Sequence, residues 1–109
     1  MVVCGNKTYS LGLLNSLLDS IRSGGFTPCV FHGSLPDAPV ETVRSGITYA
    51  KEHDVSAIVA FGGGSAMDTA KAIACMLDVD GDIIAYCKGQ IKPIRRSNLL
   101  FAIPTTCGT

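Results

Sequence analysis

Three glycines and a serine, Gly62-Gly63-Gly64-Ser65, follow directly on the apolar run Ala57 to Phe61. The run reads as a strand covered on both faces. Met67, Ala70, Ile73, Ala74 and Leu77 beyond it recur at helical spacing. A strand that passes into a helix through glycines leaves no Cβ to block close approach. The helix start then presents unpaired N–H groups and a positive dipole end, which suit a phosphate. Ser65 can cap the helix or offer its hydroxyl to a phosphate oxygen. A tight turn with a serine cap and no ligand would use the same residues. The spacing is neither that of a P-loop nor that of the dinucleotide fingerprint after a first strand.

Asp68 falls three residues after Ser65, in what reads as the first helical turn, where a carboxylate also complements the dipole. Lys71 follows on nearly the same face. It could reach a substrate or phosphate oxygen, or pair with Asp68 at i,i+3. A second polar cluster, Pro104-Thr105-Thr106-Cys107-Gly108-Thr109, follows the apolar run Leu99 to Ile103. Its hydroxyls suit a ribose, a pyrophosphate or a carboxamide.

The elements that must position these residues alternate. Val2-Val3-Cys4 reads as a strand. Leu11, Leu14, Leu17, Leu18 and Ile21 form one helix face, stopped by Gly24-Gly25. Pro28 to His32 reads as a second strand and Gly33 to Ala38 as a loop. Pro39 starts a helix whose buried stripe is Val40, Val43, Ile47 and Ala50, ending over Lys51 to Asp54. After the third strand and its helix, Asp78 to Asn98 is mostly polar and irregular, with a short strand expected at Ile83 to Ala85. Leu99 to Ile103 reads as another buried strand. This β-α-β-α-β-α-β order predicts an α/β fold, a parallel sheet with helices on both faces. Ligands of such sheets sit at the carboxyl ends of the strands, where both polar clusters begin.

Composition narrows the partners. The 109 residues allow one domain. Nine basic and nine acidic residues cancel, so no basic field draws nucleic acid or an anionic membrane. With 6% aromatic residues and no Trp, a base-stacking platform is not expected. No apolar run reaches a membrane span, and the start does not read as a signal peptide. The five cysteines, Cys4, Cys29, Cys75, Cys87 and Cys107, show neither disulfide-scaffold nor zinc spacing. Reduced, mostly buried thiols in a cytoplasmic protein are the expectation. His32 and His53 do not form a ligand pair.

Ala60 to Ala74 (AFGGGSAMDTAKAIA) resembles the hallmark of the iron-containing (group III) alcohol dehydrogenase family. Ala102 to Thr109 (AIPTTCGT) resembles its second hallmark, which normally continues Gly-Ser-Glu. Both fall in register over about fifty residues. The resemblance implies a Rossmann-like domain binding a nicotinamide dinucleotide. Carried over residue by residue, Gly63, Gly64 and Ser65 would contact the pyrophosphate. Thr105, Thr106 and Thr109 would line the cofactor near ribose and nicotinamide, with Gly62 and Asp68 completing the set. The intact enzyme would pass hydride between NADP or NAD and a small alcohol or aldehyde, with a metal polarising the substrate oxygen.

Two departures qualify the resemblance. Many members close the first strand with an Asp that holds the adenosine ribose. Gly5 stands there, and the missing carboxylate permits the 2′-phosphate of NADP. The family also binds its Fe or Zn through an Asp and three His of a following helical domain, which these residues do not include. Residues 1–109 are therefore expected to be a partial NAD(P)-binding domain of a truncated member, inactive alone, and a homo-oligomer through its uncovered face. The competing reading is a stand-alone nucleotide-binding or interaction module without redox chemistry.

Overall fold

A computed structural model describes residues 1–79, 81–90 and 98–105. Four strands, β1 (Val2–Gly5), β2 (Val30–Ser34), β3 (Ala57–Gly62) and β4 (Leu99–Pro104), form one sheet in the order β2-β1-β3-β4. Every neighbouring pair is parallel. Ladder bonding starts at the first residue: the Met1 amine donates to the Ala57 carbonyl at 2.8 Å, and the Val59 N–H donates to the Met1 carbonyl at 2.8 Å.

The helices are α1 (Asn6–Ser10), α2 (Asn15–Ser23), α3 (Val40–Glu52), α4 (Gly64–Met76) and α5 (Ile83–Cys87). Strand alternation sends Val3, Ile58 and Ala60 to one face, where they are buried with Val43 and Ala50 of α3 and Ala70, Ile73 and Ala74 of α4. Val2 and Cys4 point to the other face, with Leu14 and the half-buried Leu17, Leu18 and Ile21 of α2. Helices thus cover both faces, as the alternating pattern requires. The chain runs outward from β1 to β2, then back past β1 to β3. Direction therefore reverses between β1 and β3, which opens a crevice at their carboxyl ends.

Local chemistry explains the boundaries. α2 ends in a Schellman arrangement: Phe26 N–H reaches the Ile21 carbonyl at 3.2 Å and Gly25 N–H the Arg22 carbonyl at 3.0 Å. Gly25 takes φ +89, the left-handed geometry this stop requires. In the packing of α3 on α4, a Cβ at the buried Gly46 would lie 2.3 Å from Ile73 Cδ1, so the absent side chain sets the helix separation.

Several expectations are corrected. The first helix does not carry Leu11 on its face. Gly12 at φ +71 breaks the chain into α1 and α2, and Leu11 is 63% exposed. Pro39 caps α3 rather than starting it, β2 continues through Gly33 to Ser34, and Val40 of the expected stripe is exposed. Ile83 to Ala85 is helix, not strand: Asp82 caps α5 by accepting from Ile84 N–H at 3.3 Å. β4 is an edge strand in which every residue but Leu100 is exposed, with Leu99 62% and Phe101 54% accessible. The described cysteines are free thiols, but only Cys4 is fully buried, and Cys107 lies outside the described residues.

Arg44 of α3 holds α5 in place. Its Nε and Nη2 bond both Asp82 oxygens, at 2.9 and 2.7 Å, and Nη1 bonds Glu41. The bidentate fork keeps the Asp82 carboxyl low, at about 2.

Candidate functional site

The crevice floor is the passage from β3 to α4. Gly62 ends the strand at φ +142, a backbone that side chains rarely adopt, and a Cβ there would come within 3.1 Å of Ala66 Cβ. Gly63 is extended and caps α4 without a side-chain bond. Gly64 is the first helical residue, and a Cβ built on it would meet nothing within 4 Å. The first bond inside the helix runs from Met67 N–H to the Gly63 carbonyl at 3.1 Å. The amides of Gly64, Ser65 and Ala66 lie ahead of it, at the positive end of a thirteen-residue helix.

The structure brings most of the expected residues to this end. β1 places Gly5 opposite Ser34 of β2. A Cβ at Gly5 would have the Ser34 carbonyl as its nearest contact, at 3.8 Å, so a side chain fits. β4 pairs with β3 up to Gly62↔Pro104, and Thr105 N–H donates to the Gly62 carbonyl at 2.9 Å. Thr105 therefore stands beside the glycine turn. Thr106 and Thr109 lie outside the described residues.

The cap position expected of Ser65 and the first-turn position expected of Asp68 are corrected. Because α4 starts at Gly64, Ser65 is its second residue and not its cap. Asp68 is the fifth, past the first turn, so the dipole argument for a carboxylate there fails. Asp68 and Lys71 are exposed and form no ion pair with each other.

Two hydroxyls were not anticipated. Thr69 is fully buried on α4, and its Oγ1 donates to the Ser65 carbonyl at 2.7 Å. Ser34 Oγ lies 3.4 Å from the same Oγ1. The back-bond at four residues is a known habit of helical threonine and was readable from the Ser65–Thr69 spacing. The partner in β2 was not. Between the pairs Val3↔Phe31 and Gly5↔Ser34, β2 holds one more residue than β1, a bulge that turns Ser34 toward α4.

Cys4, His32 and His53 serve packing, and His53 does so at the opposite end of the sheet. Burial pushes the Cys4 thiol up to about 11, so it is no nucleophile. His32 stacks on Tyr9 with centroids 4.2 Å apart, and His53 on Tyr49 at 4.0 Å. Among the described residues no three His, Cys, Asp or Glu side chains are grouped to hold a metal ion. A cavity of about 670 Å³ opens at the opposite end of the sheet, lined by Ile21, Phe26, Val59, Leu99 and Phe101 among others. It is mostly apolar and remote from the glycine turn.

A parallel sheet with a glycine-bounded helix terminus at its switch point places the chain in the class of Rossmann-like cofactor-binding domains. The comparisons are more specific. Residues 1–109 match the iron-containing alcohol dehydrogenases, and the chain belongs to that family. It is 36% identical over its whole length to the choline dehydrogenase of Bacillus subtilis (strain 168), of which it covers 28%. It is 32% identical to the NAD-dependent methanol dehydrogenase of Bacillus methanolicus, again over its whole length and 28% of that protein. The crystal structure of sulfoacetaldehyde reductase from Bifidobacterium kashiwanohense in complex with NAD+ superposes with a TM-score of 0.86 and 30% identity. The superposition takes in 99% of this chain and 28% of that one. The chain thus spans little more than a quarter of the length of these relatives.

Proposed function

We propose that residues 1–109 are the cofactor-binding portion of a metal-dependent alcohol dehydrogenase or aldehyde reductase. NADP or NAD lies across the carboxyl ends of β1, β3 and β4. The amides of Gly64 and Ser65, with Gly62 and Gly63 clearing the approach, hold the pyrophosphate. Thr105, with Thr106 and Thr109 beyond it, lines the ribose and nicotinamide side. Gly5 faces the adenosine ribose without a carboxylate, which admits NADP. Asp68 stands at the outer margin of this set. The observation that carries the reading is the open space in front of Gly64 at the start of α4.

The bound nicotinamide supplies hydride transfer to or from a small alcohol or aldehyde. This chain's residues bind and orient the dinucleotide. The described residues do not fit an iron or zinc ion, so no step is assigned to a metal here. The family match over the full chain favours this reading over a module without redox chemistry. No helix among the described residues is long and apolar enough to cross a membrane. A cytoplasmic setting, in which Cys4, Cys29, Cys75 and Cys87 stay reduced, is part of this reading.

The test is Gly64→Val, followed by calorimetric titration with NADH and NADPH and by circular dichroism. The new side chain enters open space, so the fold should be unchanged while dinucleotide affinity falls by about tenfold or more. Equal affinity in a folded variant places the phosphates elsewhere.

A further inference from the structure

We propose that Thr69 and Ser34 are positioning residues that hold the first turn of α4 where its amides meet the pyrophosphate. The assignment rests on the cofactor reading above and names the groups that make the phosphate cradle rigid. Thr69 spends its single hydroxyl proton on the Ser65 carbonyl at 2.7 Å. The proton between Thr69 Oγ1 and Ser34 Oγ, 3.4 Å apart, therefore comes from Ser34. A chain of donors runs from Ser34 through Thr69 to the backbone of Ser65, and both side chains are buried.

Its geometry exceeds what satisfying one buried threonine demands. The back-bond to Ser65 already gives Thr69 a partner. Yet β2 carries an extra residue, and Ser34 ends on the α4 side, opposite Gly5. The carboxyl ends of β1 and β2 and the first turn of α4 are thereby tied at one point. Gly62, Gly63 and Gly64 leave the backbone there free to move, and no side chain caps the helix. Hydroxyl chains in a buried setting strengthen each other, so losing either link loosens the turn.

Thr69→Val keeps the shape and removes the hydroxyl, Thr69→Ser keeps the hydroxyl, and Ser34→Ala removes the second link. Two readouts decide: amide hydrogen exchange along α4, and calorimetric affinity for NADH and ADP. Thr69→Val is expected to raise exchange at residues 65–68 about fivefold or more, leave residues 73–76 unchanged, and weaken NADH and ADP by about fivefold. Thr69→Ser should restore both, and Ser34→Ala should add little to Thr69→Val. The assignment is overturned if Thr69→Ser is as damaging as Thr69→Val, or if exchange rises equally through α4. It is also overturned if Thr69→Val loosens the turn without weakening the ligands that the wild type binds. If the wild type binds neither ligand, the cofactor reading fails, and exchange alone decides whether the hydroxyls hold the turn.

Discussion

β3 and β4 lie side by side, paired residue for residue from Ala57↔Leu99 to Gly62↔Pro104, and each opens with five apolar residues. In β3, Ile58 and Ala60 are fully buried under α3 and α4, while Val59 and Phe61 lean on the α2 side. In β4, Leu100 packs toward α4 while Leu99, Phe101 and Ile103 are exposed on the other face. Among the described residues no strand pairs with the outer edge of β4, and the sequence from Asn98 to Thr109 carries no charge, so the usual protection against pairing with another chain is lacking. An apolar run thus reports that a strand is meant to be covered, and its neighbours decide whether it is. Both strands deliver polar residues to the same end, but only β3 does so from inside a finished core.

The comparison can be broken most forcefully in the core. Ile58→Ala should cost about 2–5 kcal/mol, whereas Phe101→Ala should stay within about 1 kcal/mol. Urea denaturation of both variants checks this, and equal losses would mean that β4 is covered in solution. Next, the exposed face should make the chain associate. Light scattering is expected to show dimers or larger species that Phe101→Lys shifts toward monomer. A wild-type monomer at high concentration would contradict the exposed face.

Further effects are smaller. At β1, beside β3, Gly5→Asp should weaken NADPH against NADH several-fold, roughly 1 kcal/mol, read in a competition titration. An unchanged ratio would remove Gly5 from the ribose site. The smallest effect concerns α5, on the path from α4 to β4. Arg44 depresses the Asp82 carboxyl from 3.8 to about 2. The pair therefore stabilises the fold above the unfolded carboxyl's range, and this contribution is lost as pH falls from 3.8 toward 2. Melts between pH 2 and 7 should show a shallower acid limb in Asp82→Asn.

Sequence reading recovered the features with local causes. The apolar runs of β1, β3 and β4, the Gly24-Gly25 stop and the glycine turn after β3 depend on residues within a few positions of one another. The misses depended on distant partners. α5 is too short to display a period, and its cap is steadied by Arg44, thirty-eight residues away. The exposure of β4 depends on which side of β3 it joins. Of the candidate site, Gly5, Gly62 to Ser65 and Thr105 lie at the carboxyl ends of β1, β3 and β4. The cap role of Ser65 failed because the helix begins one residue sooner. Ser34 was hidden because a bulge, not an alternating pattern, aims it at Thr69.

The ladder bonds made by Met1 have a practical consequence. Its backbone joins β3 at the amino end of the sheet, the pole opposite the glycine turn. A residue added before Met1 would turn the amine into an amide that still has a proton for the Ala57 carbonyl. A linker for surface immobilisation or a fluorescent reporter attached there would leave the pole of the glycine turn unobstructed. The same linker on β4 would emerge beside Thr105 and crowd that pole.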